Sequence, residues 1–62
     1  MTTKEIRTRL ETYINETHET LQKTPYDDPK YWKINTELAF AIRTGFKVGF
    51  QVIYINGKYC VM

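Results

Sequence analysis

Sixty-two residues, 42% of them hydrophobic and 15% aromatic, describe one small folded domain, residues 1–62, with too much apolar surface for a disordered tail. A single cysteine, Cys60, excludes an internal disulfide, and with the single histidine, His18, it falls short of an ordinary four-ligand zinc site. The net charge of +2 is uneven: all seven acids lie at or before Glu37, and only Arg43, Lys47 and Lys58 are charged beyond it, which hints at an anionic partner.

The first ten residues are polar and charged, unlike a secretory leader. The longest uncharged stretch, Val48 to Gly57, is far short of the ~20 apolar residues that span a bilayer. A cytoplasmic protein with a reduced Cys60 is the expectation.

A helix is predicted over residues 3–23. Thr2 and Glu5 stand at capping-box spacing, and Ile6, Leu10, Tyr13, Ile14, Thr17 and Leu21 recur on one narrow apolar stripe. Glu5–Arg9, Arg7–Glu11 and Glu19–Lys23 are spaced as ion pairs along its surface. Pro25 stops it, because the residue before a proline is pushed out of helical geometry.

Residues 24–29, Thr-Pro-Tyr-Asp-Asp-Pro, form a loop. Asp28-Pro29 starts a second helix: aspartate caps the free N–H groups, and a proline at the first helical position lacks nothing the helix uses.

From Pro29 the pattern supports two readings. In the first, a helix runs from about 29 to 53, with Tyr31, Ile34, Leu38, Ala41, Ile42, Gly45, Phe46, Gly49, Val52 and Ile53 on one broad face. Asn35 then sits inside the apolar arc and Phe40 outside it. In the second, the helix ends at Gly45, Gly49 is a bulge, and Phe46, Val48, Phe50, Val52 and Tyr54 alternate as a strand. Asn56-Gly57 then turns a β-hairpin between Val52–Ile55 and Lys58–Val61. Length matching with the first helix favours the long helix, hence a mainly α protein built on an antiparallel helical hairpin. The α+β arrangement is the alternative.

The run Gly45-Phe46-Lys47-Val48-Gly49-Phe50 resembles a Gly-Phe-Lys-x-Gly run in helices of short, uncharacterised proteins of Gram-positive bacteria and their phages. The resemblance covers a small part of the chain. It implies a helix there and brings no catalytic or binding residues with it.

No arrangement for acid–base, nucleophilic or phosphate-loop chemistry stands out. Asp27 and Asp28 are explained by capping, His18 flanks the apolar stripe, and Cys60 lies close to the last residue. An enzyme is not expected, nor a metal, cofactor or small-molecule substrate. The expectation is a small interaction protein, in concrete form a phage or mobile-element accessory protein that occupies and modulates or inhibits another macromolecule. Phe40 and Trp32 are its candidate aromatic contacts, and Arg43 and Lys47 its cationic ones. Gly45 and Gly49 are candidate points of close backbone approach in a homodimeric helix bundle. The alternative is a nucleic-acid-binding regulator using Lys30, Lys33, Arg43 and Lys47 beside aromatic rings.

Overall fold

The computed structural model describes residues 2–62. Helix α1 (Thr3–Lys23) is followed by α2 (Pro29–Lys47), then strands β1 (Val52–Ile55) and β2 (Lys58–Val61). The α+β reading holds in its order of elements, although α2 runs past Gly45 to Lys47 and the strand begins at Val52 and not at Phe46. The single helix from 29 to 53 does not form, because α2 stops at Lys47.

Helix starts follow the sequence. The Thr2 hydroxyl accepts from the Glu5 N–H at 3.2 Å, and the Asp28 carboxylate accepts from the Lys30 N–H at 2.9 Å with Pro29 in the first turn. Of the three ion pairs read from α1, Glu19–Lys23 forms at 3.0 Å and is the only one among the described residues. Glu5–Arg9 and Arg7–Glu11 do not form, and Glu11 Oε2 accepts instead from the Val61 N–H of β2.

The end of α2 is decided by Gly49. Its φ of +96° lies in the left-handed region, where a Cβ is strained and glycine is at ease. The Gly49 N–H donates to the Phe46 carbonyl at 3.1 Å and the Phe50 N–H to the Gly45 carbonyl at 2.9 Å. These paired bonds close a helix on a left-handed residue. Gly49 is therefore a helix cap and not a bulge, and a Cβ there would meet nothing within 4 Å. Gly45 is buried within α2, where a Cβ would lie 3.0 Å from Leu10 Cδ2 and 3.2 Å from Val52 Cγ2. The close approach it permits is to α1 and β1 of its own chain.

Beyond the cap the chain doubles back through Asn56 (φ 53°) and Gly57 (φ 81°), the two left-handed residues that a type I′ turn requires. The register pairs Val52 with Val61, Ile53 with Cys60, Tyr54 with Tyr59 and Ile55 with Lys58. Gln51 and Met62 extend it, exchanging bonds of 2.9 and 2.8 Å.

The core is small. Ile14, Leu21, Leu38, Ala41 and Val61 are its buried members, with Leu10, Tyr31, Ile34, Ile42, Phe50, Val52 and Tyr59 packed around them. Each element supplies part of it, and Ile14 is fully enclosed. No helix among the described residues is long and apolar enough to cross a membrane.

Candidate interaction surface

Two features stand apart from ordinary packing: a polar stripe on α1 that holds the hairpin, and an outward face of α2 rich in aromatic and cationic side chains.

The stripe is Glu11, Asn15 and His18, spaced four and three apart and so aligned on one flank of α1. Asn15 Nδ2 donates to the Tyr59 carbonyl at 2.9 Å, while its Oδ1 accepts from the Tyr59 N–H at 2.8 Å. Glu11 Oε2 accepts from the Val61 N–H at 2.8 Å. These are the groups of β2 that point away from β1. His18 packs edge-on against Tyr54 and Tyr59, with ring centroids at 5.6 and 5.1 Å. The two tyrosines lie 4.8 Å apart across the hairpin. Both His18 ring nitrogens are buried and hydrogen-bond to nothing among the described residues. His18 flanks the core as expected, whereas the contacts of Glu11 and Asn15 with β2 go beyond the sequence reading. Their spacing beside Ile14 is the signal that marks a second contact flank on α1.

Next to this stripe an open cleft runs between α1 and the hairpin turn, lined by Glu11, Glu16, Glu19, His18 and Lys58 among others. No group of three metal-ligating side chains comes together among the described residues.

The outward face of α2 carries Trp32, Lys33, Phe40, Arg43 and Lys47, all exposed. Phe40 is 69% exposed at the middle of the helix, and Trp32 and Phe46 are each 54% exposed along one flank. Helical rise places Trp32 and Lys47 about 22 Å apart along the axis. On one side of Phe40 a shallow apolar groove opens between the helices, floored by Leu10, Tyr13 and Ala41 and edged by Glu37 and Thr44. On the other side Arg43 and Phe46 flank Ala39 and Ile42. At the start of the helix Trp32 meets Tyr26 and Tyr31 edge-on, at 5.5 and 5.4 Å. Tyr26 is itself 69% exposed, and nothing in the sequence marks it as a partner of Trp32.

Of the residues selected from sequence, Trp32, Phe40, Arg43 and Lys47 thus share one solvent-facing side of α2. Gly45 is buried on its opposite side, and Gly49 is the exposed cap beyond it. Lys30 is exposed in the first turn, near Lys33. Comparison with family models, curated proteins and solved structures finds no match to this chain.

Proposed function

We propose that this protein is a non-enzymatic interaction module that docks onto another protein through the outward face of α2. The observation that carries the reading is Phe40, a large aromatic ring left 69% exposed at the centre of a helix face, with Arg43 and Lys47 beyond it. Aromatic and arginine side chains dominate the energetics of protein interfaces, and they do so near the interface centre. The complementary surface has an apolar pocket for the ring and carboxylates at its rim. The setting we propose is the cytoplasm, where Cys60 stays reduced. An accessory protein of a phage or mobile element, occupying a surface of a host or phage protein, is the concrete form of this reading. That form rests on small size and on the Gly45–Phe50 resemblance.

A photo-crosslinking residue at position 40, activated in the native host, tests it. The expected result is one dominant protein adduct, lost when Arg43 and Lys47 are both changed to glutamate. The same probe at Lys23, on the exposed end of α1, should give no such adduct. An adduct pattern shared by both positions would defeat the reading.

One observation favours a second reading, in which the ligand is single-stranded nucleic acid. Lys33, Arg43 and Lys47 share the outward side of α2 with Trp32 and Phe40, and rings with nearby cations suit stacked bases and phosphates. Three phosphate contacts give a slope of about −2 in log affinity against log salt, at roughly −0.7 per contact. Binding with that slope, lost on Arg43→Ala with Lys47→Ala, would favour nucleic acid over protein.

A further inference from the structure

The two edges of the hairpin are treated differently. In a hairpin closed by a two-residue turn, alternate residue pairs exchange backbone bonds and the residues between them point outward. Here Ile55–Lys58, Ile53–Cys60 and Gln51–Met62 face inward, which the Gln51–Met62 bonds of 2.9 and 2.8 Å confirm. The outward groups therefore belong to Tyr59 and Val61 on β2, and to Val52 and Tyr54 on β1. On β2 the Tyr59 N–H and carbonyl and the Val61 N–H are covered by Asn15 and Glu11. On β1 the N–H and carbonyl of Val52 and of Tyr54 meet no partner among the described residues.

Natural sheets blunt an open edge with lysine, proline or a bulge. β1 has none of these: it reads Val-Ile-Tyr-Ile inside the uncharged run from Val48 to Gly57. Surface area points the same way. The chain exposes 4799 Å², against about 4,200 Å² for a compact monomer of its mass. That excess of about 600 Å² approaches the roughly 800 Å² that each partner contributes to a standard interface.

We infer that β1 is a dimerisation edge, and that its occupant is β1 of a second copy, antiparallel, about a two-fold axis at Ile53. An antiparallel strand is self-complementary, and only one register engages every free group. Val52 faces Tyr54 of the second copy, and Tyr54 faces Val52, so all the outward N–H and carbonyl groups are used. Sliding by two residues in either direction brings in Phe50, whose N–H already bonds Gly45, or Asn56, which is in the turn. The result is a four-stranded sheet with both β1 strands central and each outer strand clasped by its own Asn15 and Glu11. Ile53 meets Ile53 at the axis as a non-hydrogen-bonded pair, with Cα atoms about 4.5 Å apart. The homodimer expected from sequence is thereby moved from the helices to the strand edge. The inference is independent of the α2 face, since Phe40 lies outside the new contact.

Disulfide trapping tests the register. In a Cys60→Ser background, Ile53→Cys should form a covalent dimer under mild oxidation, because its Cα spacing falls within the 4.4–6.8 Å range a disulfide spans. Ile55→Cys should not, since the register separates the two copies of residue 55 by about 13 Å. Sedimentation equilibrium of the unmodified protein should give twice the 7.4 kDa chain mass. Ile53→Lys, which opposes two charges at the axis, should return the mass to that of a monomer with its helical circular dichroism intact, and Phe40→Ala should leave the dimer mass unchanged. Should Ile53→Lys fail to fold, amide exchange in the unmodified protein replaces it. The Val52 and Tyr54 amides should exchange more slowly as protein concentration rises. A monomer at submillimolar concentration with freely exchanging Val52 and Tyr54 amides would overturn the inference and leave that edge to a strand of another protein. Equal trapping at 53 and 55 would overturn the register.

Discussion

A side-chain amide presents one donor and one acceptor in the geometry of a peptide group, and at Asn15 both are used on Tyr59, at 2.9 and 2.8 Å. The residue acts as one unit of a third strand supplied by a helix. Replacing it with alanine leaves a partly buried N–H and a partly buried carbonyl without partners, each costing 1–3 kcal/mol when fully desolvated. Asn15→Ala is expected to lose about 2 kcal/mol by urea unfolding and to speed exchange of the Tyr59 amide; a loss below about 0.5 kcal/mol is what an ordinary surface change gives and would deny Asn15 that role. His18 stands in the reverse situation, with both ring nitrogens buried and unbonded between two tyrosine rings. His18→Phe keeps an aromatic edge for both tyrosines and removes two unsatisfied polar atoms. It should raise stability by about 1 kcal/mol, seen as a higher urea midpoint at unchanged slope. A lower midpoint would mean that the nitrogens are bonded in solution. Neither residue's partner is legible in the sequence. Asparagine and histidine on a helix flank read as solvated or boundary positions until a strand edge is placed against them.

Among the elements, those whose signal is local agree with the sequence, and the one whose signal is ambiguous does not. α1 begins and ends as read, because Thr2, Leu21 and Pro25 act within a turn of the boundary they set. The Asn56-Gly57 turn is likewise local, once the hairpin is chosen. Residues 46–53 carry apolar side chains at both helical and strand spacing, so periodicity leaves the end of α2 open, and the left-handed φ at Gly49 decides it. Two changes at that position separate conformation from space. Gly49→Ala forces a left-handed L-residue and should cost about 1–2 kcal/mol. Gly49→D-alanine, made by chemical synthesis, suits a positive φ and enters open space. It should match or exceed the stability of the glycine chain, because it narrows the unfolded ensemble. Thermal melting of the three chains checks the order; a D-alanine chain as weak as the L-alanine chain would mean that α2 does not end on this cap.

At the scale of the molecule the question is whether the hairpin is an appendage or part of the fold. The long dimension is 39 Å, against 22 and 17 Å across, and the radius of gyration of 12.1 Å exceeds the roughly 10.6 Å of a compact chain of this length. An elongated body of this size encloses little, and among the described residues five side chains are buried in its core. One of them, Val61, comes from β2, and the shell around the core includes Phe50, Val52 and Tyr59 from the same end of the chain. Removing residues 51–62 takes Val61 from beside Ile14, uncovers the Val52 side of Gly45 and leaves Glu11, Asn15 and His18 without partners. What remains is two helices of 21 and 19 residues sharing one narrow seam, and helices of this length gain most of their stability from tertiary packing. A fragment of residues 1–50 should therefore lose the cooperative thermal transition of the full chain and much of its helical signal at 222 nm, although it keeps every residue of both helices. Amide exchange gives the complementary readout in the intact protein: the Ile14 and Tyr59 amides should open together, at the free energy of global unfolding, as members of one cooperative unit. A fragment that melts cooperatively at the temperature of the full chain would show the hairpin to be an appendage. The helix pair would then have to hold its seam without Val61 and the hairpin side chains packed against it.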